Sequence, residues 1–341
     1  MPSIAPTNTP LSVRNTDESD WKAALKNAFR NPAEVLEALE LAHDEISIAL
    51  DTDFSCLVPR EFVAKMITGD IHDPLLRQVL PLAEEKQAVV DFIADPNEEA
   101  RFHTAPGLIE KYAHRALLIA TGGCAVNCRY CFRRNYPYQQ AVGTVRLTQA
   151  LTQIGRTPDI SEVILSGGDP LVLDDETLDG LVQQLAENRH LKRLRIHTRF
   201  PVMIPSRLTP TLRGTLSDTR LNVALVLHIN HPNEIDSGLI ERLGDFHRAG
   251  INLLNQSVLL SGVNNNAEVL IELSEKLFEA NIIPYYLHRL DQVSGSHHFA
   301  VPLEAARSLE KTLRAELPGY LVPKFVEEIP KETAKTPLHL L

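Results

Sequence analysis

The sequence predicts an α/β protein built as a partial, open (β/α)6 barrel, with a helical N-terminal extension and a short C-terminal segment. Short runs rich in β-branched residues and leucine recur about every thirty residues. Amphipathic stretches of helical periodicity lie between most of these runs, which is typical of right-handed βαβ units around a parallel sheet. No G-x-G-x-x-G string follows the first run, which disfavours a dinucleotide-binding fold. Since six units are two fewer than a closed eight-unit barrel has, we expect the barrel to be open.

The elements divide the chain into an N-terminal extension (residues 1–105), the barrel (106–300) and a C-terminal segment (301–341). Residues 20–96 show helical periodicity without strand alternation, with helices predicted over 32–50 and 74–82. The barrel strands are predicted at 116–120, 160–166, 191–197, 221–227, 251–258 and 282–288. The helices between them are predicted at 176–187, 210–216, 235–248 and 267–280. A helix over 302–317 and a short strand over 320–326 follow the barrel.

The composition is that of an ordinary globular protein, with 44% hydrophobic and 23% charged residues among 341. These values exclude a collagen, a coiled coil, a disordered tail and a disulfide-stapled module. At roughly 150 residues per domain, the length fits two domains or one large barrel with extensions.

Charge and hydropathy limit the partners and the location of the protein. The net charge of −10 disfavours general nucleic-acid binding, because a surface that tracks phosphates is usually basic. No run reaches about 18 apolar residues, and the first nine residues lack the basic and apolar regions of a targeting segment. We therefore expect a cytoplasmic protein that binds neither a membrane nor nucleic acid.

Three of the four cysteines, Cys124, Cys128 and Cys131, form a C-x-x-x-C-x-x-C cluster directly after the first predicted strand. In a parallel barrel such a loop lies at the carboxyl ends of the strands, where catalytic groups are assembled. Three thiolates suit a [4Fe–4S] cluster with one iron open to a small molecule. Zinc would need a fourth ligand, and no histidine follows at finger-like spacing. Zinc and unrelated core cysteines remain alternatives, and isolated Cys56 is expected in the core.

Polar strings follow three other predicted strands. They are SGGDP at Ser166–Pro170, HINHPNE at His228–Glu234 and NQSVLLSGVN at Asn255–Asn264. Glycines in the first string would let a charged amino group approach main-chain carbonyls, and Asp169 could add a carboxylate. An ordinary strand-to-helix turn would show a similar string, so this motif alone decides nothing.

The segment TGGCAVNCRYCFRR, residues 121–134, resembles the cluster loop of radical S-adenosylmethionine enzymes. The resemblance implies a barrel of the radical S-adenosylmethionine type, with Cys124, Cys128 and Cys131 ligating a [4Fe–4S] cube. The amino and carboxylate groups of S-adenosylmethionine would chelate the fourth iron. An electron from an external reductant would then generate a 5′-deoxyadenosyl radical.

Together with CRYCFRR and SGGDP, the later strings resemble the lysine 2,3-aminomutase family from about residue 106 to the end of the chain. That family converts L-α-lysine to β-lysine and also uses pyridoxal 5′-phosphate. The string AKTP matches the family's Schiff-base string, which makes Lys335 the implied catalytic and cofactor-carrying lysine. The glycine-rich stretch that precedes this lysine in the family is replaced here by Lys331, Glu332, Thr333 and Ala334.

The resemblance also implies the remaining site residues. Arg133 matches the arginine that binds the substrate carboxylate, and Asp291 and Glu328 match the two acidic positions for the ε-ammonium group. His288 stands where the family has a tyrosine near the cofactor. The residues implied in binding the phosphate or S-adenosylmethionine are Lys111, Tyr112, Arg115, Ser166, Gly167, Gly168, Asp169, His228 and Gln256.

The short chain, the FRR string and the string GYLVPKFVEEI resemble the bacterial branch that supplies β-lysine for elongation factor P, through a separate ligase. Asn264, Asn265 and Asn266 replace the zinc-binding cysteines of longer members, so no zinc is expected. Two other functions remain open: an aminomutase for arginine or glutamate, and a non-catalytic iron–sulfur protein. The sequence leaves open whether the protein forms a homo-oligomer.

Overall fold

The computed structural model describes residues 18–42, 46–49 and 53–341. The first nine residues, from which we predicted the absence of a targeting segment, lie outside these ranges. No helix within the described ranges is long and apolar enough to cross a bilayer.

The described residues form one open sheet of ten strands, in which each strand pairs with its neighbours in chain order. Strands β3 to β9 run parallel, and β1, β2 and β10 are antiparallel additions at the two edges. The strands are β1 (His103–Ala105), β2 (Leu108–Ile109), β3 (Arg115–Thr121), β4 (Glu162–Gly167), β5 (Arg193–Thr198), β6 (Asn222–Leu227), β7 (Asn252–Val258), β8 (Ile283–His288), β9 (Lys324–Glu327) and β10 (Thr336–Pro337).

The helices alternate with the parallel strands, as the sequence predicts. Side-chain caps explain several of their starting points, since Asp174, Thr209, Asp236 and Asn266 each accept a hydrogen bond from a backbone N–H of the first turn. The helices are α1 (Glu18–Lys26), α2 (Pro32–Ala38), α3 (Arg60–Val63), α4 (Pro74–Arg77), α5 (Tyr138–Ala141), α6 (Thr144–Arg156), α7 (Asp175–Glu187), α8 (Phe200–Met203), α9 (Pro210–Asp218), α10 (Ser237–Arg248), α11 (Ala267–Glu279) and α12 (Leu303–Glu316).

The open α/β barrel is confirmed, and two details differ from the sequence prediction. The strand predicted over 320–326 begins later, at Lys324, because Gly319–Leu321 forms a 3-10 turn. This strand pairs in parallel with β8 and so adds a seventh parallel strand to the sheet. Helix α6, which the sequence analysis did not assign, follows the cysteine loop.

The N-terminal extension is less helical than its periodicity predicts. The helix predicted over 32–50 ends at Ala38, and Glu40 takes a left-handed backbone conformation with φ of 56°. The helix predicted over 74–82 ends at Arg77. The apolar periodicity in these segments therefore reflects burial rather than long helices.

The extension shares its core with the barrel. Trp21 is 2% exposed and packs edge-on against Phe200, with 5.4 Å between the ring centroids. Phe62 and Leu75 belong to the same buried cluster as Leu165 and Leu225 of the sheet. Burial of this apolar surface fixes the extension against the barrel near the carboxyl ends of the strands.

Candidate active site

A cavity of about 560 Å³ opens at the carboxyl ends of the parallel strands. Loops that follow β3 to β8 contribute side chains to its wall, which is where parallel barrels assemble catalytic groups. Every site residue predicted from the sequence lines this cavity: Lys111, Tyr112, Arg115, Cys124, Cys128, Cys131, Arg133, Ser166, Gly167, Gly168, Asp169, His228, Gln256, Asp291, Glu328 and Lys335.

The three clustered cysteines lie on the loop after β3, and none forms a disulfide. Burial, and then the nearby Cys128, raise the pKa of Cys131 to about 11. Burial and both neighbouring thiols also raise the pKa of Cys124 well above its ordinary value. Within the described ranges, no three metal-ligating side chains converge on a single ion. A cube suits the three thiols better than one ion, because each thiolate would bind a different iron. The iron would supply the positive charge that keeps the thiolate deprotonated.

Arg199 connects the cysteine loop to the extension. Its Nη1 donates to Sγ of Cys128 at 2.9 Å and to the hydroxyl of Tyr130. Its Nη2 donates to Oε1 of Gln78 at 2.7 Å and to Oε2 of Glu234 at 3.0 Å. Since Arg199 is 5% exposed, a buried cation lies directly against one predicted cluster ligand.

Glu85 of the extension binds two arginines of the cysteine loop, Arg129 and Arg134. Its Oε2 lies 2.6 Å from Nη2 of Arg129 and 2.7 Å from Nη2 of Arg134. Burial alone would raise the pKa of Glu85, and the two guanidinium groups outweigh burial and lower it. The carboxylate is therefore ionised and holds the cysteine loop against the extension.

Close backbone packing explains why two glycines occupy the SGGDP string. Gly167 has φ of +127°, and a Cβ there would lie 2.4 Å from the carbonyl oxygen of Thr121. A Cβ on Gly168 would lie 2.1 Å from the carbonyl oxygen of Gly123. Only glycine allows this close approach of the loop after β4 to the cysteine loop. The sequence suggests that these glycines let a charged amino group of a ligand approach main-chain carbonyls. This second role stays a prediction.

The carboxylate of Asp169 joins two loops of the site. It accepts from Thr198 Oγ1 at 2.7 Å and from the backbone N–H groups of Leu171, Arg199 and Phe200. Both oxygens therefore tie the loop after β4 to the loop after β5. A direct contact of Asp169 with S-adenosylmethionine stays a prediction.

His228 and Gln256 contact each other across the ends of β6 and β7. Nε2 of Gln256 lies 2.6 Å from Nε2 of His228 and 3.4 Å from Nδ1 of His197. Burial, and then nearby Arg199 and Arg133, lower the pKa of His228 to about 3. His228 is therefore a neutral imidazole at ordinary pH, suited to hydrogen bonding rather than to charge pairing.

Glu328 joins three groups that the sequence analysis assigned to pyridoxal phosphate. Lys335 donates from Nζ to Oε2 at 2.5 Å, while Lys111 and Tyr112 donate to Oε1. Arg115 lies over the Tyr112 ring, with 5.3 Å between the guanidinium carbon and the ring centroid. Burial alone would raise the pKa of Glu328, and these cations lower it. Glu328 thus pairs with lysines of the chain itself. The family resemblance instead implies that Glu328 contacts the ammonium group of the substrate.

Asp291 is a half-buried carboxyl group near Glu328. Burial raises the pKa of Asp291 to about 7; Lys335 and a hydrogen bond from Asn97 oppose the rise, and Glu328 adds to it. Two neighbouring carboxyl groups in a buried site favour the entry of a cation, because an unpaired buried charge is costly.

Arg133 forms a bidentate ion pair with Glu99. Nε lies 2.8 Å from Oε2, and Nη2 lies 2.6 Å from Oε1. Nη1 donates to Oγ of Ser166 at 2.9 Å. Burial alone would lower the pKa of Arg133, and the Glu99 carboxylate outweighs burial and raises it.

The sequence analysis missed several residues of the cavity wall. Asn97 and Glu99 precede the barrel, in a polar DPNEE string that carries no motif. Their proximity to the site depends on how the extension folds back, which periodicity does not encode. His197 and Arg199, at the end of β5, could have been found from their position alone, since side chains at the ends of parallel strands face the cavity.

Comparisons with known proteins agree with this geometry. The sequence model of the family described as "4Fe-4S single cluster domain" matches residues 113–201. That range contains β3, the three clustered cysteines, β4 and β5.

Curated proteins match over nearly the whole chain. The protein named L-lysine 2,3-aminomutase from Escherichia coli (strain K12) is 44% identical over 344 residues, covering 100% of this chain and 98% of that protein. The protein of the same name from Buchnera aphidicola subsp. Baizongia pistaciae is 45% identical over 332 residues, covering 96% of this chain and 98% of that protein.

Solved structures match more distantly. The structure of Streptococcus suis SuiB bound to S-adenosylmethionine aligns with a TM-score of 0.47 and 18% identity. The alignment covers 64% of this chain and 51% of that one.

Proposed function

The chain belongs to the L-lysine 2,3-aminomutase family of radical S-adenosylmethionine enzymes, and from this premise we propose how its cavity moves the amino group of L-lysine from C2 to C3. The product is β-lysine. The observation that carries the proposal is that one cavity contains the three clustered thiols, Arg133, Asp291 and Lys335.

Three groups that are not part of the chain complete the site. When bound, the [4Fe–4S] cluster with S-adenosylmethionine supplies hydrogen-atom abstraction, and pyridoxal 5′-phosphate supplies the π-system through which the nitrogen moves. Cys124, Cys128 and Cys131 would hold the cluster, leaving one iron for S-adenosylmethionine.

The residues around Glu328 fit pyridoxal phosphate. Lys335 would carry the cofactor, and Lys111, Tyr112 and Arg115 would bind its phosphate, since two cations and a hydroxyl line the same part of the cavity. Before Lys335 can act as a nucleophile, it must leave Glu328 and lose a proton.

Opposite charges fit the two ends of a lysine substrate. Arg133 would bind the α-carboxylate through its planar guanidinium group. Asp291 and Glu328 would pair with the ε-ammonium group once Lys335 has left Glu328. Burial of both ends orients the substrate and excludes water from the reacting carbons.

We further infer that the product supplies the ligase that modifies elongation factor P. The support is the resemblance of the FRR and GYLVPKFVEEI strings to that bacterial branch. The reaction also requires an external one-electron reductant. An isotope-labelling experiment tests the link: deleting the gene should leave elongation factor P without labelled β-lysine, and an unchanged level would contradict the link.

A substrate panel tests the assigned reaction. The anaerobically reconstituted enzyme is incubated with reductant and S-adenosylmethionine. L-Lysine, L-arginine and L-glutamate are each added to a separate sample. We expect a β-amino acid from lysine alone. Faster turnover of arginine or glutamate would overturn the substrate assignment, and no turnover of any amino acid would favour a non-catalytic iron–sulfur protein.

A further inference from the structure

The segment of residues 92–102, here called the mouth segment, crosses one side of the cavity. At one end it is tied to the loop after β8, since Ile93 N–H donates to Gln292 O at 2.9 Å and Ser294 Oγ donates to Phe92 O at 3.0 Å. At the other end, Phe102 O accepts from Glu110 N–H at 2.9 Å. Both ends are therefore fixed to the sheet.

The mouth segment contacts both ends of the proposed substrate site. Asn97 is 6% exposed and hydrogen-bonds to Asp291, which is proposed to face the ε-ammonium group. Two residues later, Glu99 forms the bidentate pair with Arg133, which is proposed to face the α-carboxylate. A segment outside the barrel thus touches the two residues that would recognise opposite ends of lysine.

Arg133 donates hydrogen bonds from all three of its guanidinium nitrogens to the chain's own acceptors. The Nε and Nη2 edge binds Glu99, and Nη1 donates to Ser166 Oγ at 2.9 Å, with the Gly167 carbonyl oxygen at 3.4 Å. A second carboxylate needs two parallel N–H groups for a bidentate pair. At the Nη1–Nη2 edge, both donors of Nη1 are already used by Ser166 and Gly167. The Nε–Nη2 edge offers such a pair when Glu99 is displaced.

We propose that Glu99 is an internal competitor that holds Arg133 until the α-carboxylate of the substrate takes its place. The inference rests on the proposed role of Arg133 in substrate binding.

An exchange of one carboxylate for another keeps the buried arginine paired throughout. Arg133 is 5% exposed, and an unpaired guanidinium at that depth would be strongly unfavourable. The Glu99 side chain is 13% exposed, so it already borders solvent. It can therefore turn into solvent when the substrate carboxylate displaces it.

The exchange also provides specificity. An amine without a carboxylate cannot replace Glu99 on Arg133. Such an amine therefore gains no binding free energy from Arg133. A substrate with an α-carboxylate breaks the ion pair between Glu99 and Arg133. The mouth segment then loses its contact with Arg133.

The Glu99→Gln variant tests the competition. Lysine binding is measured by calorimetry on anaerobic enzyme that contains the cluster and pyridoxal phosphate but no reductant, so that no turnover occurs. L-Lysinamide is the matched probe, since it keeps both amino groups and lacks the carboxylate. We expect the variant to bind L-lysine about tenfold more tightly and L-lysinamide within about twofold of the wild type.

Glu98→Gln is the matched control, because Glu98 is the neighbouring glutamate and its side chain pairs with Arg101. It should leave both affinities within about twofold. Weaker lysine binding in Glu99→Gln would show that Glu99 positions Arg133 and would overturn the proposal. An equal gain for L-lysinamide would also overturn it.

A second measurement uses the wild-type protein, so it does not depend on a variant that folds. Hydrogen exchange of the amides of residues 97–102 should become faster when L-lysine is added and should not change with L-lysinamide. Slower or unchanged exchange with L-lysine would contradict displacement of Glu99.

The Arg133→Lys variant separates this proposal from the function on which it rests. If Arg133 does not bind the substrate carboxylate, Arg133→Lys will leave lysine affinity unchanged, and the proposed function fails. If Arg133→Lys weakens lysine binding while Glu99→Gln does not strengthen it, only the competition fails.

Discussion

Lys335 donates a hydrogen bond from Nζ to Oε2 of Glu328 at 2.5 Å, while Lys111 and Tyr112 donate to the other oxygen of the same carboxylate. The proposed catalytic lysine and the proposed phosphate site therefore share one anion. Binding of pyridoxal phosphate would replace this anion with the phosphate at Lys111 and Tyr112, and would free Glu328 to face the substrate.

The Lys335→Ala variant should lose its bound pyridoxal phosphate. Without the amine the cofactor has no covalent attachment, and only the phosphate contacts remain. The measurement is the visible absorption of the cofactor together with its content per chain. Lys331→Ala, at an exposed lysine in the same segment, is the control and should retain the cofactor. Full cofactor content in Lys335→Ala would show that another lysine carries it.

The Cys128→Ala variant should lose the iron–sulfur cluster, because two thiolates are too few to hold the cube. Iron and sulfide content after anaerobic reconstitution checks this. Cys56→Ala is the matched control, since Cys56 is buried in the core and burial raises the pKa of its thiol to about 11. The control should keep normal iron and sulfide, and a normal cluster in Cys128→Ala would remove the basis of the assignment.

Lysine affinity should depend on the ionisation of Asp291. Burial raises the pKa of Asp291 to about 7, and an incoming ammonium group binds the ionised form. Below that pH, lysine must expel a proton to bind, so its affinity should fall about tenfold for each pH unit. Calorimetry at several pH values measures the slope. The Asp291→Asn variant should bind lysine weakly, and its affinity should not fall with pH in this way. A pH dependence of affinity that remains in the variant would show that another group causes it.

The Arg199→Lys variant should lower the midpoint potential of the bound cluster. Arg199 donates to Sγ of Cys128 at 2.9 Å, and hydrogen bonds to cluster sulfurs stabilise the reduced, more negative state. Loss of one such bond, worth about 1 kcal/mol, corresponds to about 40 mV for one electron. A redox titration followed by electron paramagnetic resonance measures it. Arg195→Lys, at another arginine of the cavity wall, should leave the potential unchanged.

The Glu85→Gln variant should destabilise the fold. Glu85 has a side chain that is 2% exposed and pairs with Arg129 and Arg134, and breaking a buried pair costs about 3 to 5 kcal/mol. Urea denaturation measures the free energy of unfolding. Glu304→Gln is the control, because its side chain is 82% exposed, and its effect should stay within about 0.5 kcal/mol. A stable Glu85→Gln protein would show that the ion pairs of Glu85 do not hold the extension in place.

Much of the barrel could be predicted because its signals are local. Period-two and period-3.6 apolar patterns locate β3 to β8 within two residues, and capping residues fix several helix starts. The cysteines could be found for the same reason, since Cys124, Cys128 and Cys131 lie together in sequence.

The remaining contacts depend on non-local pairing, which leaves no pattern in the sequence. Glu85 and Arg129 are 44 residues apart, and Glu99 and Arg133 are 34 residues apart. Nothing in the DPNEE string marks Glu99 as buried against an arginine. Likewise, the sharing of Glu328 among three donors becomes visible only when β9 and β10 bring the C-terminal segment beside residues 111–112.

The central claim is that one cavity combines the iron–sulfur cluster, S-adenosylmethionine and pyridoxal phosphate to isomerise lysine. The most direct test incubates the anaerobic, fully loaded enzyme with reductant, S-adenosylmethionine and L-lysine labelled with ¹⁵N at C2 and with ¹³C throughout. We predict β-lysine in which the ¹⁵N lies on C3 of the same ¹³C-labelled molecule. A protein that binds zinc at the cysteines, forms no deoxyadenosine and returns only unchanged lysine would contradict the claim.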